Sequence, residues 1–312
     1  MKQKACTIKS LNISEKKGTI KTPRQEIMLT PEGIEGDAHA GKWHRQVSLL
    51  AAESIESFEG ELGRKINYGE FAENITTHGF PVHLTKPFDR FVSKNVEMEV
   101  TQIGKKCHGT NCEIFQLTGN CVMPKEGIFC RVIKPGKLSE NDELVHIPKT
   151  FRIKVLTLSD RAFEGIYKDK SGPLIEKLSK DWFKSQNYIC ETNRTIIPDE
   201  KEILEKELES AINNNYDIIY TTGSTGIGPR DIAPKIVANF IDLEIPGIMD
   251  MIRLKYGAEK PNALLSRSIA GVKNKTLIFS LPGSTKAVNE YLSEIQKILM
   301  HSFLMLHSID SH

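Results

Sequence analysis

The sequence predicts two domains: an N-terminal one over residues 1–147 that is mainly β and barrel-like, and a C-terminal α/β one over residues 151–312 with a doubly wound, mainly parallel sheet. Three observations predict this. The 312 residues are long for one domain and suit two cores. The first half carries short β-like runs parted by Gly, Pro and Asn. The second half alternates strand and helix patterns, as a parallel sheet with helices on its faces requires.

In the first half, residues 96–100 alternate apolar and acidic side chains, the period of a half-buried strand. Residues 112–117, 127–133 and 143–147 are further short strand-like runs, and one helix is expected near residues 48–58. Pro148-Lys149-Thr150 reads as a linker. Beyond it, residues 152–158 are a β-branched and Leu-rich strand. Ser171-Gly172-Pro173 starts a helix in which Leu174, Leu178 and Trp182 recur at four-residue spacing. A strand follows near residues 188–197. Next comes a helix with Leu204, Leu208, Ala211 and Ile212 on one face, then a strand at 217–221. A strand at 276–281 and a closing helix from Thr285 complete the pattern.

Composition excludes several classes. Lys plus Arg number 42 against 40 acids, a formal net charge of +2, so nothing global points to a nucleic-acid or membrane surface. The start is not followed by an apolar run, which predicts no secretory signal. The longest apolar stretch, residues 298–309, is broken by His301, Ser302, His307 and Ser308 and is too short for a bilayer. A cytoplasmic location is expected, with the six cysteines reduced. Four of them, Cys107, Cys112, Cys121 and Cys130, crowd together without the close pairs of a zinc ribbon. Cys121 and Cys130 are expected as buried strand residues.

In doubly wound sheets ligands bind beyond the carboxyl ends of the strands. Three polar loops stand there: Ser159-Asp160-Arg161, the stretch opening Thr221-Thr222-Gly223-Ser224-Thr225-Gly226, and Pro282-Gly283-Ser284. Glycines let backbone N–H groups approach an anion, and hydroxyls add donors. No lysine stands where a P-loop has one, so charge neutralisation falls to Arg or to a metal. Asp199 and Asp231 also sit at strand ends, and carboxylates that face a phosphate call for a hard cation such as Mg²⁺. A second reading stays open beside this one. Asp199 with Glu202 has the spacing of a capping box, Asp231 stands where it would cap a helix starting near Pro234, and a Gly/Thr loop after a strand is often a plain turn. In the first half, residues 33–46 hold three glycines with Lys42, His44 and Arg45, which reads either as an anion-holding loop or as a basic surface loop.

Several motifs in a fixed order add a resemblance. Ser159-Asp160-Arg161, Gly165 through Gly172, Ile197-Pro198-Asp199-Glu200, Thr221 through Pro234, Ile245-Pro246-Gly247, Leu265-Ser266-Arg267 and Leu281 through Lys286 resemble the MogA/MoaB family of molybdopterin adenylyltransferases, also found as the G domain of gephyrin-type proteins. The resemblance covers residues 151 to about 300. It implies transfer of AMP from ATP to the terminal phosphate of molybdopterin, with Mg²⁺ and release of pyrophosphate. It implies that Asp231 and Asp199 are catalytic and hold Mg²⁺. Molybdopterin and ATP contacts are implied for Ser159, Asp160, Arg161, Ser171, Gly172, Thr222, Gly223, Ser224, Thr225, Gly226, Asp250, Ser266, Arg267, Pro282 and Gly283. It further implies a homotrimer and a molybdenum insertase as partner. Three positions depart from the family pattern: Ser224 replaces a Gly, Ala233 a Thr, and Asp250 a Glu. If position 224 needs a positive φ, Ser costs about 1 kcal/mol or more there.

Gly36 through Gly41, Arg45 through Leu50, Phe71-Ala72-Glu73-Asn74-Ile75 and the region 112–133 resemble a MOSC domain over residues 1–147. The resemblance implies binding of molybdenum cofactor or carriage of its sulfur. Cys112 is the implied molybdenum or sulfur ligand, with Cys107 and Cys121 behind it, and Lys42, His44 and Arg45 are implied to hold the cofactor phosphate. The expectation is a protein of molybdenum cofactor biosynthesis. The alternatives are a non-catalytic molybdopterin-binding scaffold, or a MOSC half that reduces N-hydroxylated compounds.

Overall fold

The computed structural model describes residues 4–106 and 121–309. They divide into two compact units, one reaching Lys149 and including 308–309, the other Thr150–His307.

In the first unit seven strands close into a ring. Their order is Lys4–Ile13, Ile75–His78, Val47–Ala51, Ile128–Lys134, Glu97–Ile103, Arg90–Val92 and Glu143–Ile147, which pairs back with the first. All neighbours run antiparallel except Val47–Ala51 with Ile75–His78. The period of two sorts the side chains. Val47, Leu49, Ile128 and Cys130 enter the barrel core with Ile8, Leu11, Met98 and Val100. Leu50 and Phe129 point the other way, into a smaller cluster with Ile55 and Phe58 of helix Ala52–Leu62. The helix expected at 48–58 is therefore a strand through Ala51 and a helix after it. Val47 to Ala51 is buried on both faces, and that environment overrides the helical spacing. Cys130 lies in a strand as expected, and burial pushes its thiol well up from the usual value. Cys121 is half-buried and lies in no strand.

The loop between Gly33 and Gln46 is fastened from within. The Asp37 carboxylate is buried against the Lys21 ammonium, which is itself fully buried. It also accepts from the Ser14, His39 and Asn74 nitrogens at 3.1, 2.9 and 3.1 Å. Burial alone would raise its pKa, yet the His39 hydrogen bonds and the Lys21 charge hold it well below the usual carboxylate range. For Lys21 burial wins, and its pKa is lowered despite Asp37.

The second unit is a six-stranded sheet in the order Ile189–Ile197, Thr150–Leu158, Ile218–Thr222, Thr276–Leu281, Ala270–Lys273, Leu243–Glu244. The first four strands are parallel, and the last two turn antiparallel at one edge. Leu156, Leu158, Ile219 and Ile278 face helices Lys201–Asn213 and Ala233–Phe240 through Leu204, Leu208, Ile236 and Val237. On the opposite face Phe151 meets Phe183 and Phe303, of helices Ser171–Ser185 and Thr285–Leu306, at ring-centroid distances of 4.6 and 4.7 Å. The sheet is thus covered on both sides, as expected. The antiparallel edge and helix Pro246–Glu259 went unpredicted. In that helix Met249 and Ile252 are buried while Met251 and Leu254 are exposed, which blurs its apolar period. Among the described residues no helix is long and apolar enough to cross a membrane.

Breaking one side of a buried ion pair leaves an uncompensated charge, which costs about 3–5 kcal/mol. Lys21→Ala is therefore expected to lower stability by that order in urea titrations. Removing both charges while keeping an acceptor for the loop donors, as Lys21→Met with Asp37→Asn, should recover part of the loss.

Candidate active site

The first strand of the second sheet, Thr150–Leu158, lies between the strand that follows it in sequence and Ile218–Thr222. The chain leaves this strand toward helix Ser171–Ser185 on one face and leaves both neighbours toward helices on the other face, so a crevice opens beyond their carboxyl ends. A cavity of about 450 Å³ stands there. Its walls come from the loops after all four parallel strands, Asp199 alone from the loop after Ile189–Ile197.

The first loop starts with Ser159, whose Oγ accepts from Ala162 N at 3.3 Å and lies 3.0 Å from the Tyr167 hydroxyl. Asp160 and Asp199 clasp each other: Asp199 N donates to Asp160 Oδ1 at 3.0 Å, and Asp160 N donates to Asp199 Oδ2 at 3.3 Å. Arg161 lies over the Tyr167 ring, 5.5 Å from its centroid. The second loop begins at Gly223, with φ +94°. A Cβ there would lie 2.4 Å from the Leu158 carbonyl oxygen, so only glycine fits. Ser224 has φ +55°, the left-handed region, and so carries the strain that its replacement of Gly predicts. Its hydroxyl offsets that strain by donating to the Arg230 carbonyl and accepting from Ile232 N, both at 2.9 Å. Asp231 folds under the same loop, and Gly228 N donates to its Oδ2 at 2.7 Å. The third loop comes within van der Waals reach of the second: a Cβ on Gly283 would stand 3.3 Å from Gly223 Cα.

Ser171 reaches the cavity from the start of its helix, held by Asp169. Asp169 is buried and accepts from Thr157, Ser171, Gly172 N and Arg194. Gly172 packs so tightly behind it that a Cβ would lie 2.4 Å from Asp169 Oδ2.

Neither aspartate acts as a cap. Helix Lys201–Asn213 has Glu200 at its N-cap, helix Ala233–Phe240 has Ile232, and neither end has a side-chain cap. Burial pushes the Asp199 carboxyl up, and the neighbouring Asp160 charge adds to this, while the Ser224 hydroxyl and the Asp160 amide oppose it. Its Oδ1 is buried and has no hydrogen-bond partner among the described residues. A buried, unsatisfied carboxylate oxygen on a residue that lines a polar cavity fits a hard cation. Among the described residues no cluster of three or more His, Cys, Asp or Glu side chains could hold a metal unaided. Mg²⁺ takes one or two carboxylates and completes its shell with phosphate and water.

The structure therefore brings Ser159, Asp160, Arg161, Ser171, Asp199, Thr222, Gly223, Ser224, Thr225, Gly226, Asp231 and Gly283 to one cavity. Others stand away from its wall. Arg267 braces the loop, donating Nε to the Gly226 carbonyl at 2.6 Å and its other end to the Asp231 carbonyl. Ser266 is bonded to Ser268 and Tyr291, Asp250 is exposed and paired with Arg253, and Pro282 contributes a carbonyl to Thr222. Sequence reasoning missed Arg230, which lines the cavity and pairs with Asp160, and gave no role to Asp169 or Tyr167. Adjacency to Asp231 was the available signal for Arg230.

In the first unit Lys42 stands in solvent, His44 is buried and the Arg45 guanidinium lies over Trp43, 4.9 Å from the ring centroid. Cys107 and Cys112 lie outside the described residues.

Comparison with known proteins gives matches for both halves. Residues 154–301 match the family described as "Probable molybdopterin binding domain", and residues 36–145 match the MOSC domain. The chain is 37% identical over 149 residues to the "Molybdenum cofactor synthesis protein cinnamon" of Drosophila melanogaster, a match covering 47% of this chain and 24% of that protein. It is 34% identical over 148 residues to a "Molybdopterin adenylyltransferase" of Helicobacter pylori strain J99, covering 47% of this chain and 82% of that one. An Escherichia coli K12 protein of the same name is 33% identical over 149 residues, with 47% and 74% covered. The chain thus spans about a quarter of the fly protein's length and most of the bacterial ones.

Two outcomes follow from the loop geometry. At position 224 the left-handed backbone costs a non-glycine residue about 1–2 kcal/mol, and each hydroxyl hydrogen bond returns about 1 kcal/mol. Ser224→Ala keeps the strain and loses both bonds, so it should be less stable than Ser224→Gly in chemical denaturation. Asp199 has a folded-state pKa raised above its unfolded value. Its contribution is favourable at low pH and is lost as pH rises through the folded pKa. Asp199→Asn is therefore expected to raise the midpoint of thermal unfolding at pH 7, and to do so less at pH 4.

Proposed function

We propose, from the premise that the chain belongs through residues 154–301 to the molybdopterin-binding family and carries a MOSC domain ahead of it, that its second half adenylylates molybdopterin. The observation that supports this most directly is the unpaired oxygen of Asp199, a residue that lines a cavity walled by four strand-end loops. In the reaction an oxygen of the molybdopterin phosphate attacks the α-phosphorus of ATP. The bond from that phosphorus to the bridging oxygen breaks, and pyrophosphate leaves. The nucleophile is already anionic, so catalysis is positioning and charge stabilisation and needs no strong base.

The residues divide that work. Backbone N–H groups along Gly223–Gly226 approach the phosphates, and the Ser159 and Ser171 hydroxyls add donors. The carboxylates of Asp199 and Asp231 would hold Mg²⁺, which supplies neutralisation of the charge that builds on the phosphate oxygens. The fastened loop keeps these groups in place before ligand arrives, so little reorganisation is needed. The same reading includes assembly as a trimer and delivery of product to a molybdenum insertase. The first half, by its MOSC match, binds the molybdenum cofactor or carries its sulfur, with Cys112 as the thiolate. Thiolates suit soft metal–sulfur centres.

The test is pyrophosphate release from purified protein with ATP, Mg²⁺ and molybdopterin. Asp199→Ala and Asp231→Ala are each expected to slow release by about 10²-fold or more. Release that survives in both variants would rule out the roles assigned to the two carboxylates.

A further inference from the structure

The cavity holds a charge problem. Asp160, Asp199 and Asp231 all line it, and no lysine does. A polyphosphate entering such a site meets three carboxylates. The two cations on the wall are Arg161 and Arg230, and Arg267 behind the loop is committed to the Gly226 and Asp231 carbonyls. Arg161 lies over Tyr167. Arg230 spans the mouth of the cavity from the second loop to the first, its guanidinium on Asp160.

That ion pair is built for exchange. The Arg230 side chain is 68% exposed and the Asp160 side chain 28%, so water screens their attraction and separating them costs little. The main chain at Arg230 is anchored, because Ser224 donates its hydroxyl to the Arg230 carbonyl at 2.9 Å. The guanidinium can swing while its Cα stays put. Asp160 keeps a partner when the arginine leaves, since Asp199 N still donates to its Oδ1. A phosphate offers the same forked geometry as a carboxylate and more charge.

We infer that Arg230 is the phosphate-binding cation of this site, parked on Asp160 in the free protein and transferred to the pyrophosphate part of the nucleotide on binding. It does the work that a lysine does in a P-loop. Asp160 is a positioning residue: it holds the guanidinium at the mouth and competes with ligand for it. This assignment rests on the adenylyl-transfer reading only for the identity of the nucleotide. The chemistry it requires is a ligand with adjacent phosphates.

Calorimetric titration with inorganic pyrophosphate and with ATP, both with Mg²⁺, tests it. Arg230→Ala is expected to weaken pyrophosphate binding about tenfold or more, and Arg230→Lys to recover part of the loss. Asp160→Asn should tighten binding several-fold in the parent but change it by less than about twofold in the Arg230→Ala background. Full binding by Arg230→Ala overturns the assignment. So does an Asp160→Asn gain of equal size in both backgrounds, which would reflect lost repulsion alone. A parent that binds neither ligand sinks this inference together with the adenylyl-transfer reading. A parent that binds pyrophosphate through Arg230 yet turns over no molybdopterin sinks only that reading. Unfolding midpoints of the Arg230 variants, expected to match the parent at this exposed position, separate binding from folding.

Discussion

The site depends on how closely two strand ends approach. Gly223 leaves the third parallel strand so near the first that its α-carbon can carry no side chain, because the Leu158 carbonyl occupies that space. Gly283 packs against Gly223 from the other side, and Thr222 donates to the Pro282 carbonyl at 3.0 Å. Three loops from three strands are thereby drawn to one point. Parallel strands with right-handed crossovers supply the crevice, and the glycines set its depth. With a side chain at Gly223 the loops would splay, whereas a Cβ at Gly283 would displace them by only a few tenths of an ångström.

Drawing the loops together also crowds their acids. Asp160 and Asp199 share two hydrogen bonds, and Asp231 lines the same cavity. Burial and the neighbouring charge disfavour ionised Asp199, which is the arrangement expected where function outweighs stability. The fold tolerates the crowding through local neutralisation, with Arg230 on Asp160 and the Gly228 N–H on Asp231, while Asp199 Oδ1 stays unpaired. The arginine at the mouth and the hard cation expected inside answer one electrostatic demand from two directions.

Much of this was legible in the sequence because it rests on local patterns. The strand–helix alternation after residue 150 gave the covered sheet, and Gly-rich turns after apolar strands gave the three loops. What was not legible depends on long-range packing. Val47 to Ala51 looks like the start of a helix until the barrel buries both of its faces. Asp250, Ser266 and Arg267 sit in motifs as regular as the others, yet partners elsewhere hold them: Arg253, Tyr291 and the loop carbonyls. Capping was a fair reading of Asp199 from its spacing to Glu202, but Asp160, 39 residues away in the chain, engages that carboxylate instead.

Comparison of three acids shows what separates a structural carboxylate from one held in reserve. Asp37 and Asp169 are both buried, and each is surrounded by donors. Asp37 takes Lys21 with three nitrogen donors, and Asp169 takes two hydroxyls, a backbone amide and Arg194. Their hydrogen-bonding capacity is spent on fixing a loop and a helix start, so neither has a lone pair to offer a ligand at small cost. Asp199 differs in one oxygen, which is equally shielded from water but accepts no hydrogen bond. Leaving a buried oxygen so costs about 1–3 kcal/mol. Glu53 and Glu73 each keep an unpaired buried oxygen as well, but Asp199 stands at the carboxyl edge where a parallel sheet receives its ligands. In the first half the acid of the basic loop, Asp37, and the buried Lys21 turn inward on each other, while Lys42 of the same loop stands in solvent.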